Sequence, residues 1–376
     1  MTAVPAPDPA ADADVRSRVA LSRLSEPGDE DMAGWVERLG APEVLAQIRS
    51  ARLPSNRLAQ YQVRLDTADV EVDLDLAARA GARLLVPGDD EWPAQVDDLD
   101  APPLLLWVSG LPGLGDMTRR SVAVVGARAC TPYGEHVAAE MAAGLGDRGW
   151  TVVSGGAYGI DAAAHRGVMA VGGRTVAVLA CGIDVVYPAA HDSLLGAVRT
   201  CGAVVSELPP GSRPMRTRFL HRNRVIAALA RGTVVVEAAL RSGARNTAGH
   251  ADALSRPVMA VPGQVTSAAS AGCHELVRAA GAALVTDASD VVDIVGDLGA
   301  DGSPDRRGEM RPHDDLDPTT LRVLEALPLR RWAPPDSIAR VAGLDAPTVL
   351  RALAALSAAR LASSREGGWR RTPAQP

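Results

Sequence analysis

The sequence predicts an α/β protein whose central domain is a doubly wound parallel sheet. A small helical domain precedes it and a compact helical unit follows it. Three observations carry this reading. Short β-branched runs recur at 122–125, 151–154, 175–180, 203–206, 233–236, 257–261 and 283–285. Ala-rich stretches of mostly about 20–25 residues lie between them, enough for a crossover helix and its loops. The runs are apolar throughout and do not alternate, as expected of strands covered on both faces.

Taken in order, residues 1–14 are rich in Pro, Ala and Asp and are expected to form a disordered tail. From 15 to about 80, Leu21, Leu24, Met32, Trp35, Val36 and Leu39 recur at helical spacing, and Gly40-Ala41-Pro42 interrupts them. The spacing predicts a small helical domain, of a size that resembles SAM or helix-hairpin-helix modules. Strand-like segments at 82–86 and 102–108 complete it as a lead-in, giving a domain of 15–115. The sheet domain occupies 116–298. Residues 299–316 carry Gly, Pro, Asp and Arg with little apolar content and read as a linker. The last unit, 317–376, contains a helix-turn-helix pattern from Asp336 to Leu353, then a basic hairpin around Gly367-Gly368. Its two readings are a DNA-docking module and a protein-contact module.

Composition narrows the function. The chain has 376 residues, 47% of them hydrophobic, and a net charge of −6. All 39 basic residues are arginine, so every positive charge is permanent and able to bind phosphate bidentately. Residues 1–115 carry 10 arginines and 20 acids, which disfavours a general duplex-coating protein; residues 317–376 carry 9 arginines and 5 acids. Four scattered cysteines, Cys130, Cys181, Cys201 and Cys273, form neither a CxxC pair nor a disulfide framework, so no metal site is expected. The start of the chain does not read as a secretory signal and no run reads as a membrane span, so a cytoplasmic protein is expected.

The most informative stretch is Phe219-Leu220-His221-Arg222-Asn223-Arg224. It holds the chain's single Phe. Between Glu207 and Glu237 lie Arg213, Arg216, Arg218, Arg222, Arg224 and Arg231 with no acid. Planar cations beside an aromatic face are the chemistry of single-stranded nucleic-acid binding. A solvated basic loop next to a core Phe is the plainer alternative.

Ligands of such sheets bind beyond the C-terminal strand ends, where helix N-termini favour anions. Four loops fit: Gly126-Ala127-Arg128, Ser154-Gly155-Gly156, Ala180-Cys181-Gly182, and Glu237 through Ser242-Gly243. None matches a dinucleotide fingerprint, and a chain without lysine has no P-loop, so no cofactor is expected. Asp161 and His165, four apart, read either as a catalytic pair or as a helix-capping, loop-ordering pair, with the structural reading favoured. Glu207 and Glu237 are the other candidate carboxylates.

These segments together resemble the DprA/Smf family, the DNA-processing proteins of bacterial transformation. The matching phrases are Gly126-Ala127-Arg128; Ser154 to Asp161 with Ala164-His165; Val178 to Gly182 with Tyr187-Pro188; Ser206-Glu207; Phe219 with Arg222-Asn223-Arg224; Val236-Glu237-Ala238 with Ser242-Gly243; and Ala260 to Gly263. Asp90 to Pro93 and Pro102 to Leu106 resemble that family's lead-in, and the last unit resembles its frequent winged-helix tail. The resemblance implies an extended Rossmann-like domain that binds and protects single-stranded DNA. It also implies a homodimer that helps load a RecA-type recombinase, with no enzymatic activity. Carried onto this chain, Gly126, Arg128, Ser154, Gly155, Gly156, Arg222, Asn223, Arg224, Ser242 and Gly243 would line the phosphate groove and Phe219 would stack on a base. The chain departs from the family at Ala127, Leu220-His221 and His274. It also lacks groove lysines, for which Arg213, Arg241 or Arg245 would substitute. The alternative is a nucleotide phosphoribohydrolase or nucleotide-sensing regulator on the same kind of fold. The Pro-Gly-Gly-x-Gly-Thr loop of those hydrolases is absent from 237–247.

Overall fold

The computed structural model describes residues 9–66, 68–297, 301 and 316–373. These fall into two compact units that divide between 303 and 304. The expected linker at 299–316 lies outside the described residues apart from Asp301 and Leu316.

The first unit opens with five helices: α1 (Pro9–Leu24), α2 (Glu30–Leu39), α3 (Ala41–Arg49), α4 (Leu58–Leu65) and α5 (Val70–Arg79). Leu21, Leu24, Met32, Trp35 and Val36 join Val44, Ile48 and Tyr61 in their shared core, while Leu39, expected there from its spacing, is exposed at the end of α2. Helix α1 begins at Pro9, inside the tail expected to be disordered. Asp12 and Asp14 each pair one turn on, with Arg16 and Arg18, which supports the first turns.

The chain then alternates: β1 (Ala82–Leu85), β2 (Leu106–Gly110), α6 (Leu114–Arg119), β3 (Ser121–Val125), α7 (Pro132–Asp147), β4 (Thr151–Ser154), α8 (Ile160–Ala170), β5 (Thr175–Val178), α9 (Asp192–Cys201), β6 (Ala203–Ser206), α10 (Arg216–Leu229), β7 (Thr233–Val235), α11 (Gly243–Ala253), β8 (Val258–Ala260), α12 (Ala271–Ala279), β9 (Ala283–Leu284) and α13 (Ala288–Val295). Every predicted strand is present. They form one nine-stranded sheet in the order β1-β2-β6-β5-β4-β3-β7-β8-β9. The seven strands from β3 onward are parallel. Strands β1 and β2 join them antiparallel through β6, so the lead-in extends the sheet and does not belong to a separate helical domain.

Alternate residues of the central strands β3, β4 and β7 feed two cores, one on each face. On one face Ala123, Val125, Val153 and Val235 meet Val225, Ile226 and Leu229 of α10 and Ala248 of α11. On the other Val122, Val124, Val152 and Val234 meet Met141 and Leu145 of α7 and Val291 of α13. Burial on both faces explains the uninterrupted apolar strands. From β3 the chain steps outward to β6, then crosses back through α10 to β7 on the other side of β3. The ends of β3 and β7 therefore form the topological switch point, where such sheets open a crevice.

The second unit contains α14 (Pro318–Ala326), α15 (Pro335–Ala342), α16 (Ala346–Ala358) and a hairpin of β10 (Ala362–Arg365) and β11 (Gly368–Arg371). Helices α15 and α16 meet at 104° across a short turn, the geometry of a helix-turn-helix. Gly343, at φ 64°, makes that turn in the left-handed region where side chains are strained. Among the described residues no single helix is long and apolar enough to cross a membrane.

Candidate nucleic-acid interface

A cleft of about 640 Å³ opens at the switch point. Its walls include Gly126 and Arg128 after β3, Asp161 of α8, Phe219, Arg222 and Asn223 of α10, and Ser242 and Gly243 at the start of α11. Gly126 is obligatory for close packing: a Cβ there would lie 2.5 Å from Ile160 Cγ1 and 2.9 Å from Glu237 O. The hydroxyl of Ser242 accepts the N–H of Ala244 and caps α11, while Gly243 has open space beside it. The N-terminal end of α11, where the helix dipole favours anions, thus lines the cleft.

The floor is made by Arg222. It is 7% exposed and donates to the carbonyls of Gly155, at 2.7 Å, and Val178. These carbonyls lie at the ends of β4 and β5, so one guanidinium ties three elements together. Gly155 is glycine because a Cβ would come within 2.5 Å of that guanidinium. Burial lowers the pKa of Arg222 to about 10, opposed by the Asp161 carboxylate. Burial likewise pushes Asp161 up, and Arg222 pulls it back. Asn223 donates to Gly243 O and Asn246 Oδ1, which links α10 to α11.

The basic window is divided by the fold. Arg224, expected in the groove, is 6% exposed and points away from it, to Glu207 and the carbonyl of Ala101. Arg218 pairs with Glu26 at 2.9 Å, 192 residues away in the chain. Arg231 pairs with Asp297. Arg213 and Arg216 are exposed and meet no carboxylate among the described residues. Neither do Arg128 and Arg241, both exposed lining residues of the cleft. Arg245 donates to Leu240 O and orders the loop before α11. The cations that line the cleft and face solvent are therefore Arg128, Arg216 and Arg241, with Arg213 exposed just before α10.

Phe219 sits on the first turns of α10, not in a loop. The Arg128 guanidinium lies 4.5 Å from its ring centroid, and Tyr187 packs against it at 5.5 Å. A narrower recess beside the cleft is lined by Arg128, Gly155, Tyr158, Tyr187, Pro188 and Phe219. Tyr158 and Tyr187 are half exposed, and Tyr158 packs on His191 at 4.7 Å. Sequence reasoning does not single out Tyr158 and Tyr187 as site residues. The signal for them was available: in a chain with 3% aromatics, Tyr133, Tyr158 and Tyr187 all fall in or just beyond strand-end loops.

The remaining candidates are structural. Ser154 is fully buried and donates to Val124 O, fastening β4 to β3, so its hydroxyl does not face the cleft. Gly156, at φ 64°, makes the turn after β4 and its carbonyl accepts from His191 Nδ1. Asp161 and His165 do not pair: Asp161 accepts the N–H of Ala157, and His165 bonds Thr175 inside the core. Both oxygens of Glu237 are taken by Thr131, from its N–H at 2.9 Å and its hydroxyl at 2.7 Å.

Fold and cleft define a class: an α/β protein of Rossmann-like architecture with an aromatic-bearing, uncompensated cationic crevice at its switch point. Residues 83–296 match the model of a family described as DNA recombination-mediator protein A, and the chain belongs to that family. It is 48% identical to the putative DNA processing protein DprA of Mycobacterium tuberculosis over 96% of this chain and 95% of that protein. Among solved structures it resembles DNA processing protein A of Streptococcus pneumoniae, with a TM-score of 0.62 and 30% identity over 76% of this chain and 97% of that one. DNA processing protein A of Helicobacter pylori, whose structure addresses a single-stranded DNA binding mode, matches with a TM-score of 0.51 and 26% identity. That match covers 56% of this chain and 94% of that one.

Proposed function

We propose that this chain binds single-stranded DNA in the switch-point cleft and acts as a recombination mediator in bacterial transformation. The observation that carries the reading is the stack of Arg128 on Phe219, in a cleft where Arg128 and Arg241 meet no acid among the described residues. A strand laid across the cleft gives its phosphates to Arg128, Arg216, Arg241 and the N-terminal end of α11. Its bases meet Phe219, Tyr187 and Tyr158. Gly126, Gly155, Arg222, Asn223, Ser242 and Gly243 shape the walls. The work is binding, not catalysis: Asp161 is matched by Arg222, and Glu237 is engaged by Thr131. Homodimer formation and handover to a RecA-type recombinase in the cytoplasm complete the proposal; the description of the family as a recombination mediator is what supports the handover.

Fluorescence anisotropy with labelled oligo-dT and a matched duplex, across a salt series, tests this with wild type, Arg128→Ala and Phe219→Ala. A single-strand preference that weakens with salt and in both variants is the expected result. No preference, with both variants binding as wild type, sinks the reading.

A further inference from the structure

We propose that the N-terminal helical bundle is a positioning element for the cleft: it clamps helix α10 and the loop before it, so that the cleft's exposed arginines stand at fixed places before DNA arrives. The inference rests on single-strand binding in the cleft. Helix α10 has two neighbours. Arg216, Phe219, Arg222, Asn223 and Ile226 line the cleft. Arg218, His221 and Arg224, three residues apart, form another stripe that meets the bundle. Glu26 pairs with Arg218, and the turn at Gly28, between α1 and α2, lies on the other two. A Cβ on Gly28 would stand 3.3 Å from Arg224 Nε and 3.4 Å from His221 Nδ1, and its φ of 78° is one that side chains rarely adopt. One rigid helix carries both stripes, so what fixes one face places the other.

The loop at 207–215 belongs to no helix or strand, yet it carries Arg213 and delivers Arg216. Two clamps from the bundle hold its carbonyls. In the first, Arg23 of α1 donates to Pro210 O at 2.6 Å. Arg23 is itself fixed by Asp73 of α5, through Nε at 2.8 Å and through Nη2, and Asp73 is 1% exposed. In the second, Arg218 donates to Arg213 O at 2.8 Å while Glu26 binds it with both oxygens, at 2.9 and 3.1 Å. From the sheet side, Asp184 accepts the N–H of Gly211 at 2.7 Å.

Both clamps have the same build: a carboxylate of the bundle orients a guanidinium, and a further N–H of that guanidinium takes a loop carbonyl. Arginine suits this, because its planar fork grips a carboxylate and keeps donors for a second acceptor. Such pairs add little net stability over apolar residues of the same volume. What they supply here is direction. A loop free to wander would have to be ordered at each binding event, and that cost lowers affinity. It does not change the number of phosphates met, which sets the salt slope. Coupling of this kind is reciprocal, so DNA in the cleft should in turn stiffen the clamps.

The test compares the full-length wild type with Arg23→Met/Asp73→Leu, which removes one clamp without leaving a lone buried charge. Arg23→Lys is the conservative variant, and Arg79→Ala, which opens a surface pair of the same bundle, is the control. Hydrogen exchange is followed by mass spectrometry with and without oligo-dT, and affinity by anisotropy across a salt series. In wild type, oligo-dT is expected to slow exchange at 209–219 and also at 23–29, which do not line the cleft. The double variant should exchange faster at 209–216 without DNA. It should bind oligo-dT roughly three- to tenfold more weakly, at nearly the wild-type salt slope. Arg23→Lys should fall between, and Arg79→Ala should match wild type. A folded double variant with wild-type affinity overturns the proposal. So does an equal loss in Arg79→Ala, or DNA that protects the loop and not 23–29. Should the double variant unfold, Arg23→Lys decides by the same two readings. A wild type that binds no oligo-dT sinks the single-strand reading itself, a failure visible without any variant.

Discussion

The first turn of α10 and the two turns that follow carry the same residue type to opposite ends. Arg216 stands in solvent, close to Phe219 and the cleft. Arg222 and Arg224 are more than nine-tenths buried, engaged by two carbonyls and by Glu207. A run of arginines in sequence is therefore not a run of arginines at a ligand. What separates them is the helix: the first turn overhangs the strand ends, while the remainder lies against the sheet. An arginine below a strand end is surrounded by carbonyls, and an arginine above it by water.

The hardest test of this division is Arg224→Ala. It leaves the Glu207 carboxylate buried without its partner, a loss expected to cost about 3–5 kcal/mol. Chemical denaturation should show that fall, while oligo-dT affinity per folded molecule stays near wild type. A stable variant with lost affinity would return Arg224 to the groove. Phe219→Ala should do the reverse, with stability little changed and single-strand binding weakened by about 1–3 kcal/mol. Two contributions combine there: the stacking face itself, and the ring against which Arg128 is held. Arg128→Ala in the Phe219→Ala background should therefore add less than it does alone, which a double-mutant cycle measures.

Beneath the cleft the contrast becomes pH-dependent. The Thr175 hydroxyl donates to Val152 O, so it accepts from His165 Nδ1, and His165 Nε2 faces the core with no partner. Protonation would bury an unpaired charge beside Arg222 and His191. Burial first, then these neighbours, depress its pKa from 6.5 to about 3. The unfolded chain thus binds the proton that the folded one refuses, and stability falls as pH drops from about 6.5 toward 3. Between pH 7 and pH 5 the expected loss is about 2 kcal/mol, by the value of one pKa unit. His165→Gln should flatten that part of the profile; an unaltered slope would assign it to other groups.

The central strands β3 to β7 were legible because each is a short run rich in β-branched residues in an Ala- and Gly-rich chain, and because burial on both faces leaves no alternation to misread. The strand-end glycines were legible for a related reason: Gly126 and Gly155 stand where another side chain would collide with Ile160 or Arg222. Charge pairing was not legible. Glu26 and Arg218 are 192 residues apart, and Arg224 reaches Ala101 across 123. No local pattern records such a partner. The start of helix α1, 9–14, falls in the expected tail for the opposite reason: Pro and Asp suit a disordered tail, but they also suit a helix start, and the pairs Asp12–Arg16 and Asp14–Arg18 favour the second.

The smallest effect is the most discriminating. Arg213 and Arg216 sit at the same end of the basic window as Arg218, but Arg218 is held by Glu26 and by the carbonyl of Arg213. Each unpaired arginine that meets a phosphate should contribute about 0.7 unit to the single-strand salt slope, and a neutralised one should contribute little. Arg213→Ala and Arg216→Ala are therefore expected to flatten the slope by up to that amount, with only a modest loss of affinity at low salt. Arg218→Ala should leave the slope nearly untouched. Glu26→Gln releases Arg218 without removing it, and should steepen the slope toward the value for one added contact. If Glu26→Gln leaves the slope unchanged while Arg216→Ala flattens it, then position on the helix, and not pairing, decides which arginines meet DNA.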